Sequence, residues 1–264
     1  MNIAFYAPMK SPDDLRPSGD RTIGRLLMAA LRHGGHDVRL VSQLRTWAGT
    51  ADAARLVEFR TATELEATAL MDAWKRADCA WVPEVWFTYH SYYKAPDLLG
   101  PRVAGALGLP YVITEASYSA RRSQGPWADW LAAARSSVVA ADAIFSFTAR
   151  DRAGLSEICA PQRLHDLAPF LDLSTFDLDA APPVARRDDA PPRLVVVAMM
   201  RPGAKLESYR LLGAALTRLR ARSWHLDIVG DGIARPAVEA AFDDVPDNKV
   251  TWHGRLEGPA IRKV

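Results

Sequence analysis

Metal-binding signatures are missing from this sequence. Its two cysteines, Cys79 and Cys159, and its six histidines are dispersed, with no C-x-x-C and no H-E-x-x-H spacing to gather ligands. No metal site and no cofactor are expected. Cysteine is too scarce for a disulfide framework, which fits a reducing compartment, and the two thiols read as buried small hydrophobes. No apolar run approaches the roughly 20 residues of a membrane span, and "MNIAFYAP" is too short for a secretory signal or an anchor. The expectation is a soluble, cytoplasmic protein without a membrane span, with peripheral membrane contact left open. Charge bias is also lacking: 33 basic and 31 acidic residues leave a formal +2. No whole-molecule field then favours nucleic acid, and any anion site must be local. G-x-S-x-G is absent, so serine hydrolase chemistry has no foothold, and without G-x-G-x-x-G a nicotinamide-dependent oxidoreductase loses its best support.

What is present is alternation. Nearly half of the 264 residues are hydrophobic, enough to bury a sizeable core. Residues 2–7 read as a strand, the loop through Asp20 as a flexible connection, Ile23 to Leu31 as an amphipathic helix stopped by "HGGH", and "DVRLVS" as a second strand. Further strands are expected at 79–86, 110–116 and 143–148, with helices over 64–76, 96–108 and 126–140 between them. This pattern predicts a parallel sheet covered by helices. Residues 177–193, with four prolines and mixed charge, read as an interdomain linker. Beyond it "RLVVVAMM", "HLDIVGDG" and "KVTWHGRL" read as strands around helices at 206–222 and 233–243. The expected organisation is α/β, with a Rossmann-like domain over 1–176, the linker, and a second, incomplete Rossmann-like domain over 194–264. The last strand, "VTWHGRL", is expected to leave an edge or apolar face uncovered.

Four stretches carry candidate chemistry. Ser18, Gly19 and Asp20 stand just ahead of the first helix, where free N–H groups and the helix dipole favour a phosphate; the plainer reading is a helix cap. Arg201 and Lys205 lie between a strand and a helix start, placed to clamp a diphosphate; otherwise they are solvated loop cations. "IVGDG" (228–232) and "WHGRL" (252–256) end strands in glycine turns that either admit a nucleotide base or only reverse the chain. Finally, "VWFTYHSYYKAPDLLGP" gathers aromatics with His90 and Lys94, and "VITEASYSARRSQGPW" offers Glu115, Arg121 and Arg122. Rings with scattered polar groups suit a sugar or lipid-linked acceptor, and Glu115 is placed to orient a hydroxyl; the plainer reading of the rings is core packing.

The order of these parts resembles glycosyltransferase family 4, whose members have the GT-B fold. The likeness rests on the glycine-bearing first loop, the helix ending in "GGHDV", "LAPFLDLSTF", the linker, and above all "VVVAMMRPGAK", "HLDIVGDG" and "VTWHGRL". It implies a retaining glycosyltransferase that uses a nucleoside diphosphate sugar without a metal, the acceptor being held by the N-terminal domain. It also implies that Gly19, Arg201 and Lys205 bind the donor diphosphate. Where many members carry a histidine after the strand resembling "YVIT", this chain has Glu115, the candidate catalytic residue. The family's paired-glutamate segment would follow "VTWHG" and is not in the sequence, so a fragment or a shortened protein is expected. The alternative is a non-catalytic remnant that binds a ligand or partner.

Overall fold

Six parallel strands form the first sheet, in the order β2-β1-β3-β4-β5-β6. A computed structural model describes residues 1–175, 190–256 and 258–264, and the chain divides into two units, Met1–Leu171 and Asp172–Val264. Residues 177–189, most of the expected linker, lie outside the described residues. In the first unit the strands are β1 (Asn2–Tyr6), β2 (Asp37–Leu40), β3 (Val85–Ser91), β4 (Tyr111–Ala116), β5 (Ala143–Ser146) and β6 (Leu164–Asp166). The helices are α1 (Gly19–His33), α2 (Ala53–Lys75), α3 (Gly100–Leu107), α4 (Ala128–Ala140) and α5 (Ala149–Leu155).

The local chemistry explains the boundaries. Ser18 caps α1 through its hydroxyl, and the Gly34 N–H closes the helix on the Ala30 carbonyl. Asp52 caps α2, its carboxyl accepting from the N–H groups of Ala54 and Arg55. Because both faces of a parallel sheet must be covered, the strands are apolar on both sides. Phe5, Phe87 and Tyr89 pack with Leu27 and Met28 of α1 on one face. Tyr6, Trp86, Ile113 and Ile144 pack with Val103 of α3 and Val138 of α4 on the other.

Two expectations are corrected here. The strand expected at 79–86 begins at Val85 and runs to Ser91, so His90 is a strand residue rather than part of a following loop. Pro83 lacks the N–H that a central strand needs, and β3 instead uses Thr88 and Ser91 as buried polar members. Helix α2 starts at Ala53, well before the expected residue 64. The short α5 and β6 carry too little pattern to be noticed in the sequence.

One buried carboxyl organises the junction of β3, β4 and α3. Asp97 is 1% exposed. It accepts from Thr88 Oγ1 at 2.5 Å and Tyr111 Oη at 2.6 Å, and from the N–H groups of Leu99 at 2.9 Å and Gly100 at 2.7 Å. Its own N–H donates to Ser91 Oγ at 3.0 Å. Burial pushes the carboxyl above its ordinary value, while the four donors work against that shift.

The second unit holds three parallel strands in the order β7-β8-β9: β7 (Arg193–Val197), β8 (His225–Val229) and β9 (Val250–Gly254). Helices α6 (Ala204–Arg218) and α7 (Arg235–Ala240) join them, and a short α8 (Pro259–Arg262) follows. Leu226 and Ile228 of β8 pack with Tyr209, Leu216 and Val238 of the helices. β9 is an edge strand of the described sheet, as expected, but half-buried, and the uncovered apolar side chains belong to β7, where Val195 is 59% and Val197 55% exposed. Burying such a side chain is worth about 1.5–3 kcal/mol, a gain that β7 forgoes.

Asp227, on β8, is buried beside Arg193 Nη2 at 2.7 Å and His253 Nε2 at 2.8 Å. Burial alone would raise its carboxyl, but the hydrogen bonds from His253 and Arg193 outweigh it and hold Asp227 below the ordinary carboxylate value.

Two tests follow from these networks. Asp97→Ala strands several buried donors, so it is expected to cost about 3 kcal/mol or more in urea unfolding. A folded-state acid weaker in proton affinity than its unfolded form stabilises at neutral pH, and that stability disappears as pH falls through the folded value. Acid titration from about pH 5 to about pH 2 is therefore expected to unfold Asp227→Asn with a shallower pH dependence than the parent; equal slopes would show that Asp227 is not responsible.

Candidate functional site

In a doubly wound sheet the natural crevice opens at the carboxyl ends of two strands whose connections leave in opposite directions. In the first unit this place lies between β1 and β3, because the strand order runs outward to β2 on one side and to β4 on the other. Here α1 begins after β1. Its N-cap Ser18 Oγ accepts from the Arg21 N–H at 3.2 Å. Asp20, in the first turn, is therefore not needed as the cap, and its Oδ1 lies 3.1 Å from Nδ1 of His90 at the end of β3. The hydrogen bond from His90 outweighs burial and lowers the Asp20 carboxyl below its ordinary value. With a proton on Nδ1 facing Asp20, His90 presents the Nε2 lone pair as an acceptor.

Backbone strain marks the same place. His90 (φ 61°) and Glu115 (φ 62°) are the left-handed non-glycine residues of the described chain. They occupy one rung of the sheet, because the β3–β4 register passes from Tyr89–Thr114 to Ser91–Ala116 around them. Such conformations cost on the order of 1–3 kcal/mol each and persist at sites where the geometry is used. Burial raises the Glu115 carboxyl, while His90 acts in the opposite direction. Its Oε2 and the neighbouring Tyr89 hydroxyl are both buried with no hydrogen bond of acceptable geometry. The two groups nevertheless face each other, the Tyr89 hydroxyl opposing the rise of the Glu115 carboxyl, beside the Asp20–His90 pair.

Gly19 opens α1 next to Asp20. A methyl group added there would meet nothing within 4 Å, so the fold itself does not require glycine, and a ligand can approach the backbone.

In the second unit, Arg201 sits in the loop after β7 and Lys205 in the first turn of α6, both exposed. The helix starts at Gly203 without a side-chain cap, so its first N–H groups are not occupied by a capping side chain. The loop is held from beneath. Ala198 N–H donates to the Val229 carbonyl and Met200 N–H to the Asp231 carbonyl, both at 3.0 Å. Gly230 and Gly232 permit this approach: a Cβ would fall 1.9 Å from the Ala198 carbonyl oxygen and 2.1 Å from that of Met200. Close packing between loops thus accounts for these two glycines.

Of the residues singled out in the sequence, Gly19 and Glu115 lie at the same edge of the first sheet, and Arg201 and Lys205 share one loop–helix junction in the second unit. The Asp20–His90 pair was missed. Its partners are 70 residues apart, and only the reversal of strand order at β1 brings them together. Among the described residues, no group of three or more His, Cys, Asp or Glu side chains converges to hold a metal, and no helix is long and apolar enough to cross a membrane.

No family model and no curated protein matches this chain. Solved structures match its fold. The apo form of the lipopolysaccharide outer core galactosyltransferase WaaB is 14% identical, with a TM-score of 0.57 over 97% of this chain and 69% of that one. HepE of Anabaena in complex with UDP is 11% identical, with a TM-score of 0.58 over 97% and 70%. The UDP-GlcNAc 2-epimerase of Methanocaldococcus jannaschii is 11% identical, with a TM-score of 0.53 over 97% and 74%. At such identities the likeness is one of architecture. The chain consists of α/β units matching the Rossmann-like domains of the GT-B fold.

The open space at Gly19 makes a stability prediction. Gly19→Ala is expected to keep or raise the melting temperature, since alanine favours a helix by about 0.5–1 kcal/mol. A drop of several degrees in thermal denaturation would mean that the glycine serves the fold rather than a ligand.

Proposed function

We propose that this chain is a glycosyltransferase of the GT-B kind, similar to family 4, that transfers a sugar from a nucleoside diphosphate donor to a sugar or lipid-linked acceptor in the cytoplasm. The observation that carries the reading is the strained rung of His90 and Glu115 at the switch point of the first sheet, with Asp20 paired to His90. A site of this kind holds hydroxyls: His90 Nε2 and Glu115 Oε2 are acceptors, and the low-dielectric surroundings strengthen each bond they make. HepE in complex with UDP and glucose shares the fold, which supports a nucleotide-sugar donor.

In this reading the second unit binds the donor. Arg201 offers a planar fork to two phosphate oxygens, Lys205 a point charge, and the start of α6 its N–H groups. Together they stabilise the negative charge that grows on the departing diphosphate, the work that a divalent cation does in other transferases. In the first unit, Gly19 leaves the start of α1 open to a phosphate. Glu115 orients the reacting sugar through its hydroxyls, and Asp20 fixes the ring of His90.

A specific observation favours a second reading, a non-catalytic binding module. The second sheet of the described chain has three strands, and β7 leaves Val195 and Val197 exposed.

Calorimetric titration with UDP and GDP, followed by donor turnover, separates the two readings. Binding of one nucleotide is expected, with sugar release or transfer from the matching donor; binding without turnover favours the module. Arg201→Ala and Lys205→Ala are each expected to weaken nucleotide affinity about tenfold, equivalent to about 1.4 kcal/mol, with little change in melting temperature. Unchanged affinity in both variants would remove the clamp. The resemblance implies retention, which the proton NMR coupling of the new anomeric centre checks; an inverted product would instead make His90 Nε2 the base that deprotonates the acceptor.

A further inference from the structure

The loops that follow β3 and β4 carry an aromatic row that starts at the candidate site and runs away from it. His90 and Tyr92 have ring centroids 5.0 Å apart, Tyr92 and Tyr93 5.4 Å, and Tyr93 and Trp127 5.0 Å. Tyr92 and Tyr93 are only partly buried, and Trp127, at the far end, anchors the row on Trp130. Cations lie on it. The Arg122 guanidinium stands 4.0 Å from the Tyr93 ring, and Lys94 Nζ stands 5.4 Å from Trp127 and 5.9 Å from Tyr93. Arg121 is exposed beside Arg122 on the same short helical turn.

None of these three cations makes an ion pair with a carboxylate among the described residues. The acids on the neighbouring loops are already engaged: Asp14 with Lys10 and Arg16, Asp20 with His90, Asp52 with the start of α2, and Asp97 with its four donors. Asp13, exposed in the loop after β1, and Asp129, exposed in the first turn of α4, are the carboxylates that remain there.

Rings do two things for such cations. Each contact is worth about 0.5–1 kcal/mol at an exposed site and holds a long side chain near one position. A cation already held loses less freedom when it meets an anion. The edges and open faces of the same rings offer apolar surface for the C–H groups of a pyranose. The Arg122 guanidinium and the Lys94 ammonium held against aromatic rings, with Arg121 exposed next in sequence, therefore match a dianion carried on a sugar.

We propose that the acceptor is a phosphorylated saccharide whose phosphate is bound by Lys94, Arg121 and Arg122 and whose sugar lies along Tyr92, Tyr93 and Trp127 toward His90. This rests on the glycosyltransferase reading for the direction of the sugar, but the phosphate site stands on its own contacts. Soluble sugar phosphates and phosphate-linked lipid headgroups share this chemistry.

The test is binding by the full chain in the presence of saturating UDP, with glucose, inorganic phosphate and glucose 6-phosphate as probes, and with phosphatidylcholine vesicles with and without phosphatidylinositol. Glucose 6-phosphate, or the vesicles containing phosphatidylinositol if the source is a lipid, is expected to bind at least about tenfold more tightly than glucose or plain vesicles. That preference should fall with added salt and disappear in the double variant Lys94→Gln/Arg122→Gln, whose melting temperature checks that it is folded. Equal binding of glucose and glucose 6-phosphate together with no preference among vesicles overturns the proposal, as does a preference that survives in the double variant. Arg201→Ala/Lys205→Ala should leave this binding intact; if it abolishes it, the phosphate belongs to the second unit and the proposal fails. Loss of UDP binding alone would instead count against the transferase reading while leaving this site standing.

Discussion

The first unit depends on the buried carboxyl of Asp97. A single residue ties Thr88 and Tyr111 through its carboxyl, Ser91 through its backbone N–H, and the first N–H groups of α3 into one knot. The segment between β3 and α3 is thereby fixed at its far end, while the strand fixes it at the near end. Tyr92, Tyr93 and Lys94 lie on the span so defined, and His90 stands in the strand just before it. A carboxyl whose burial works against ionisation would be a poor choice for stability alone. Here it positions two strands and a helix with directional bonds, which apolar packing cannot do as specifically.

The same logic explains why polar chemistry gathers at the carboxyl edges of both sheets. Parallel strands need crossover helices, and each crossover delivers a helix N-terminus to that edge. In the first unit the edge carries acceptors, Asp20, His90 and Glu115. In the second it carries cations, Arg201 and Lys205, above loops that Gly230 and Gly232 allow to pack backbone to backbone.

Much of this was legible in the linear pattern. Arg201 and Lys205 could be placed because a strand end and a helix start are neighbours in the chain, and Glu115 because β4 is apolar up to it. The alternation of strand and helix was enough to give two Rossmann-like units. Strand β3 was displaced in the reading because its buried residues include Thr88 and Ser91, whose polarity is satisfied by Asp97 further along together with Trp86 and Ser137. The Asp20–His90 pair had no local signal at all: it follows from β3 lying beside β1 rather than β2. Gly230 and Gly232 look the same in sequence whether they face a ligand or a neighbouring carbonyl, and only the distances to Ala198 and Met200 decide.

The bond between Asp20 and His90 has a bearing on how the first unit assembles. It joins the start of a helix early in the chain to the end of a strand that emerges much later, so the pair has no existence in a partly formed sheet. Any molecule captured there recognises the finished unit and draws the folding equilibrium toward it by mass action. Occupancy and completion of the fold are then a single event, and resistance to unfolding would rise with ligand concentration.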